Sequence, residues 1–218
     1  MLKAVIFDLD GVITDSAKYH YSAWKTLADR LEIPFDEEYN ENLKGVSRME
    51  SLDLILERGQ GKNAYTKEEK EKMADEKNEI YKSLINTMSP SDILEGIQEL
   101  LIELKEKKIK TGLASVSKNA PFIINRLGLE SYFDYIADVA MIKNAKPFPD
   151  IFLDCASHLG ISPEECVGVE DAEAGIEAIQ RAGMKAVGVG TPAQMQKADR
   201  ILSGTKELSL KLLQEVLG

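Results

Sequence analysis

The sequence predicts an α/β protein: a doubly wound parallel sheet with a helical cap inserted after its first strand. Three observations predict it. Short β-branched runs alternate with helical segments through most of the chain, the pattern of parallel β-α units. One stretch of roughly 70 residues breaks the alternation, carrying apolar residues at helical spacing and no convincing strand. The apolar runs end in acids or a hydroxyl, as strands do when their carboxyl ends face a ligand crevice.

Residues 3–8 form a β-branched and aromatic run that ends in Asp8-Leu9-Asp10-Gly11. This reads as a buried strand and then a turn in which Gly11 permits an unusual backbone. From residue 16 to about 83 the text turns helical, broken by Pro34 and by Gly59 and Gly61. After Ser89-Pro90-Ser91-Asp92, an amphipathic helix is expected at 97–107. Then follow a strand at 111–115, a helix at 120–127, a short strand at 135–137 and a helix at 150–159 closed by Gly160. A strand at 166–170, a helix at 172–182 closed by Gly183, a strand at 186–189 and a helix at 208–217 complete the chain. Glycine just past a helix end is the expected stop. The domains expected are an α/β catalytic core of residues 1–15 and 87–218 and a helical cap of 16–86.

The chain has 218 residues, 27 basic against 37 acidic, for a formal charge of −10. That balance disfavours nucleic acid and anionic membranes, both of which attract basic surfaces. The longest uninterrupted hydrophobic run is four residues, too short for a membrane span. The opening MLKAVIFD reads as a strand rather than an export signal, so a cytoplasmic protein is expected. The two cysteines, Cys155 and Cys166, are expected as free buried thiols.

The strand ends place Asp8 and Asp10, then Ser115, then Glu170 and Asp171 on one rim, with Lys146 in a loop. Unit charges 4 Å apart interact by about 4 kcal/mol at an effective dielectric of 20, so such a cluster calls for a cation. With oxygen ligands alone, that ion is Mg2+. Mg2+ with Lys146 can hold a phosphoryl group, Asp8 can form an aspartyl phosphate, and Asp10 can shuttle a proton. A lone Asp-x-Asp at a strand-to-helix turn also serves as a helix cap. What raises the catalytic reading is that Ser115, Lys146 and Glu170-Asp171 follow in order, each at its own strand end or loop.

Asp8-Leu9-Asp10-Gly11-Val12, Ser115, Lys146-Pro147 with Pro149-Asp150, and Gly168-Val169-Glu170-Asp171 with Gly175 and Ala182-Gly183-Met184 resemble the four motifs of the haloacid dehalogenase superfamily. The resemblance covers the whole chain and implies a Rossmann-like core with a helical cap in the first loop. It implies Asp8 as nucleophile, Asp10 as general acid and base, and Ser115 and Lys146 as phosphate holders. It also implies Mg2+ held by Asp8, the Asp10 main-chain carbonyl, Glu170 and Asp171.

In the cap, Ser16, His20 and Trp24 share one helix face by their spacing. Residues 44–48 read as a loop in which Gly45 lets the backbone approach a ligand, and Arg48 with residues 117–119 suits a second phosphate site remote from Asp8. Each has a plainer reading: Trp24 as core, His20 as packing, Lys77 and Asn78 on the solvated face of a charge-rich helix, Arg48 paired to a cap acid. Longer stretches, DLDGVITDSAKYHYSAW, LKGVSR, ASVSKN and GVEDAEAGIEAI, resemble the superfamily's sugar-phosphate mutases. That resemblance implies interconversion of β-glucose 1-phosphate and glucose 6-phosphate through glucose 1,6-bisphosphate. It implies that His20 and Lys77 help position Asp10 and the sugar, and that Trp24, Gly45, Val46, Arg48, Ser51, Val116, Ser117, Lys118 and Asn119 contact the substrate. Two departures stand out: Ser16 where the family pattern often has Thr, and Ala145 where Ser precedes the lysine. The alternatives are a sugar-phosphate phosphatase of the same superfamily and, from another class, a non-catalytic receiver-like phosphate sensor. The partners expected are small sugar phosphates acting on a monomer.

Overall fold

The computed structural model describes residues 1–43 and 46–218. In chain order the main elements are β1 (Ala4–Phe7), α1 (Ala17–Arg30), α2 (Glu37–Asn40), α3 (Arg48–Glu57), α4 (Lys67–Ile85), α5 (Ile97–Glu106) and β2 (Lys110–Leu113). They continue with α6 (Ala120–Arg126), β3 (Tyr135–Ile136), α7 (Asp150–Leu159), β4 (Cys166–Glu170), α8 (Glu173–Arg181), β5 (Lys185–Val189), β6 (Arg200–Leu202) and α9 (Leu210–Leu217). The chain divides into two compact units, one of residues 1–15 with 88–218 and one of residues 16–87. No described helix is long and apolar enough to cross a membrane.

The larger unit is built on a six-stranded sheet of order β3-β2-β1-β4-β5-β6, with every pairing parallel. β1 is central and wholly buried, which is why its text is an unbroken apolar run rather than an alternation. One core packs Ile6, Phe152, Cys155, Ile176 and Ile179 together. Both cysteines are buried and free, as expected. Gly160 and Gly183 end their helices with φ of 70° and 80°, the left-handed stop that favours glycine.

Several bounds shift by one or two residues, and β2 ends at Leu113, which leaves Ser115 two residues beyond the strand. The last helix begins at Leu210 rather than 208, because Ser209 caps it by accepting the Leu212 N–H. A sixth strand, β6, pairs with β5 although three residues at a sheet edge carry too little periodicity to announce a strand.

The helical unit contains no strand among its described residues. α1, α3 and α4 bury Trp24, Leu27, Leu52, Ile55, Leu56 and Ala74 around one core. Capping boxes, Ser47 with Glu50 and Thr66 with Glu69, start α3 and α4.

Ile6 is fully buried in the sheet core. Ile6→Ala is expected to lower the unfolding free energy by about 2–5 kcal/mol, read as a shift in the urea midpoint at unchanged slope.

Candidate active site

The sheet order reverses direction between β1 and β4, so this is the topological switch point, where ligands of open parallel sheets bind. Phe7 is in register with both Leu113 and Val169. The Asp8 N–H donates to the Val169 carbonyl at 2.9 Å, and the Ala114 N–H donates to the Phe7 carbonyl at 2.8 Å. Asp8, Ser115 and Glu170 therefore leave three adjacent strands at nearly one level.

Lys146 reaches between them. Its Nζ lies 2.6 Å from Asp8 Oδ1 and 2.5 Å from Glu170 Oε1, and all three side chains are buried. Glu170 Oε2 accepts the N–H groups of Asp171 and Ala172 at 2.8 and 2.9 Å, so both its oxygens are fixed. Burial works against the Lys146 ammonium, yet the carboxylates of Asp8 and Glu170 outweigh it and raise its pKa. For Asp8, burial raises the pKa; Lys146 opposes this, while Glu170, Asp10 and Asp171 add to it. The result lies well above the ordinary 3.8. The site thus holds more negative charge than one lysine balances.

Oxygens of Asp8, Glu170 and Asp171 lie within 4.8 Å of one another, a donor set that fits a hard divalent cation. Two glycines make this gathering possible. A β-carbon at Gly11, whose φ is +73°, would overlap the Asp171 carboxylate, and one at Gly175 would overlap the Glu170 carboxylate.

Asp10 is half-buried on a turn that is locked by its own backbone. Gly11 N–H donates to the Thr14 carbonyl at 2.8 Å, and Thr14 Oγ1 donates to the Asp92 carbonyl at 2.7 Å. Ser115 is buried and its Oγ accepts the Ser117 N–H at 3.1 Å; Ser117 Oγ accepts the Asn119 N–H at 3.2 Å. Val116, Ser117 and Asn119 are half-buried, and Lys118 is exposed. Beside Lys146, Asn144 clamps its loop to Asp150 through backbone and side-chain donors. The Lys146–Pro147 peptide bond is cis.

In the helical unit, α1 and α4 bring a second set of residues together. Lys77 Nζ lies 2.8 Å from His20 Nδ1 and above the rings of Trp24 and Tyr81, 4.6 and 4.7 Å from their centroids. Although its helix is charge-rich, Lys77 is buried rather than on a solvated face. Trp24 belongs to the helical core, as its plainer reading has it. Arg48 is half-buried at the start of α3 and donates to Asn78 Oδ1 at 2.9 Å. Ser51 is buried and Val46 half-buried; Gly45 lies outside the described residues. Tyr81, which contacts His20 and Lys77, was not singled out by sequence reasoning; the only signal was its position four residues after Lys77.

Burial, then Lys77, then Arg48 lower the His20 pKa well below 6.5. A half-buried imidazole held neutral contributes stability that is full above pH 6.5 and is lost as pH falls toward the folded value. The wild-type protein should therefore lose unfolding free energy on acidification below 6.5, and His20→Gln should lose less. Urea titrations across this range check it; identical slopes for the two proteins would show that His20 is not held neutral.

A family model described as haloacid dehalogenase-like hydrolase matches residues 2–183. The chain is 51% identical over 214 residues to the β-phosphoglucomutase of Bacillus subtilis strain 168, covering 98% of this chain and 95% of that one. It is 31% identical to a phosphorylated carbohydrates phosphatase of Thermotoga maritima, covering 85% of this chain and 84% of that one. Among solved structures, the crystal structure of β-phosphoglucomutase from Clostridium difficile superposes with a TM-score of 0.96 at 51% identity, covering 100% of this chain and 97% of that one.

Proposed function

Because the chain belongs to the haloacid dehalogenase-like hydrolase family, we propose that it acts as a β-phosphoglucomutase, interconverting β-glucose 1-phosphate and glucose 6-phosphate through an aspartyl phosphate and glucose 1,6-bisphosphate. The observation that carries this reading is 51% identity to a β-phosphoglucomutase across nearly the whole chain, against 31% to a phosphatase. The geometry supports it, since a carboxylate and an ammonium meet at the switch point and a buried hydroxyl leaves the neighbouring strand at nearly the same level.

In this reading Asp8 is the nucleophile. A carboxylate oxygen of Asp8 attacks the phosphorus, and the bond from phosphorus to the sugar oxygen breaks. Asp10 gives that oxygen a proton and recovers one when the opposite hydroxyl of the sugar attacks the aspartyl phosphate. Ser115 and Lys146 hold the oxygens of the phosphoryl group in transfer. Asp8, Glu170, Asp171 and the Asp10 main-chain carbonyl would hold Mg2+, which supplies positive charge to a site where a phosphate dianion joins a surplus of carboxylates. His20 and Lys77 help position Asp10 and the sugar.

A mutase exchanges two phosphates, so the phosphate not in transfer needs ligands of its own. Arg48 takes that role with Ser117, Lys118 and Asn119, while Trp24, Gly45, Val46, Ser51 and Val116 contact the sugar or shape its surroundings. The activity belongs in the cytoplasm, because doubly charged sugar phosphates do not cross a bilayer unaided and stay in the compartment that makes them.

The deciding experiment follows glucose 6-phosphate and inorganic phosphate from β-glucose 1-phosphate. Glucose 6-phosphate should dominate, rise on adding the bisphosphate, and vanish with chelator until Mg2+ is restored. Free phosphate as the main product would establish the phosphatase instead. Asp8→Asn should leave the fold intact by circular dichroism and yield no protein-bound phosphate when labelled donor is trapped in acid. Arg48→Ala should cost roughly 10- to 150-fold in kcat/KM for glucose 1-phosphate, the equivalent of a charged hydrogen bond of about 1.5–3 kcal/mol. It should leave turnover of acetyl phosphate, which has no second phosphate, near the wild-type level.

A further inference from the structure

Tyr81 is fully buried and lies against three polar residues of the helical unit at once. Its ring faces the His20 imidazole, with centroids 4.0 Å apart and planes inclined by 31°. The same ring lies 4.7 Å from Lys77 Nζ. Its hydroxyl is 3.0 Å from Ser16 Oγ, on the first residue of this unit.

The Lys77–His20 contact fixes chemistry. An ammonium has donors only, so His20 Nδ1, 2.8 Å away, must accept. In a neutral ring the proton then sits on Nε2, which becomes a donor. Lys77 can impose that state only while Nδ1 keeps facing it. A flip about the Cβ–Cγ bond would exchange the two edges of the ring, and during the flip the imidazole edge sweeps into the phenol face. The phenol therefore blocks the motion that would undo the contact.

We propose that Tyr81 is a positioning residue: its ring locks His20 as the Nε2–H donor that Lys77 selects, and its hydroxyl ties Ser16 to the same cluster. The proposal rests on the proposed function, in which His20 acts toward Asp10 and the sugar. The phenol face also attracts the Lys77 ammonium, so one side chain restrains both partners of the contact. Tyrosine suits the position because it alone combines an aromatic face with a hydroxyl at the reach of Ser16. Phenylalanine keeps the lock and loses the tie; leucine loses both.

The test reads the tautomer directly. Only two histidines are present, so His158→Gln leaves His20 as the single imidazole in a long-range 1H–15N spectrum. In that background, Tyr81 as found should give one unprotonated nitrogen at Nδ1 and one protonated nitrogen at Nε2. Tyr81→Phe should keep both signals, and Tyr81→Leu should average them. On β-glucose 1-phosphate, Tyr81→Leu should lower kcat by roughly 10- to 100-fold, the scale on which partners that orient metal-bound imidazoles act. KM should move by less than about threefold, and Tyr81→Phe should lose less activity than Tyr81→Leu.

A protonated Nδ1 or a mixed tautomer with Tyr81 in place overturns the proposal, as does Tyr81→Leu with a single Nε2–H tautomer and wild-type kcat. Should Tyr81→Leu not fold, the spectra with Tyr81 and with Phe still decide, because averaged signals in Tyr81→Phe would show that the ring is not the lock. A protein that makes no glucose 6-phosphate defeats the function reading, while its spectra still test the lock.

Discussion

The larger unit depends on one buried ammonium held between two carboxylates. Lys146 comes from a loop, and Asp8 and Glu170 from the ends of neighbouring strands, so their meeting requires β1 and β4 to run parallel and in register. Removing one partner of a buried ion pair typically costs about 3–5 kcal/mol, which ties the position of the loop to that of the sheet. The same arrangement leaves carboxylate in surplus. That surplus suits the site to a hard divalent cation. The backbone accommodates the crowding at Gly11 and Gly175, where any β-carbon would displace a site carboxylate.

The helical unit handles its buried ammonium through other neighbours. Lys77 meets two aromatic faces and an imidazole nitrogen, contacts that stabilise a cation. The distinction has a chemical consequence. Lys146 is written into a charge balance that one ammonium leaves negative. Lys77 acts on a neutral neighbour, fixing which edge of His20 accepts and which donates. Adjacent on the same helix, Asn78 offers Arg48 a neutral acceptor, while the carboxylates of Asp75 and Glu79 also act on the guanidinium.

How much of this was legible in the sequence follows from what each feature depends on. The acids at strand ends could be read because an apolar run broken by Asp8 or by Glu170-Asp171 is visible in a few adjacent letters. The parallel sheet could be read because the alternation of strand and helix repeats along the chain. β6 could not, since its three residues are ordered by pairing with β5 and not by a pattern of their own. Lys77 shows the same limit. Its neighbours in sequence are charged, and local composition points to solvent; its neighbours in space are His20, Trp24 and Tyr81, contributed across two packed helices. Periodicity tells which face of a helix is apolar, but not which distant side chain turns a charged residue inward.

The two departures from the family pattern can be weighed by the same physics. Ala145 is exposed, so the hydroxyl it lacks would stand in water, while the Lys146 ammonium beside it is already held by two carboxylates. Its loop is closed from either side by Asn144 and Asp150, neither of which needs a hydroxyl at 145. Ser16 is different, because it is fully buried and its hydroxyl is in use against Tyr81. Exchanging threonine for serine there removes a methyl group and keeps the oxygen. The oxygen is the atom the cluster of Tyr81, His20 and Lys77 engages, so the substitution spares the hydrogen bond and gives up only packing. A change to alanine at the same position would remove that hydrogen bond as well, a net loss of about 0.5–1.5 kcal/mol that a lost methyl group alone does not carry.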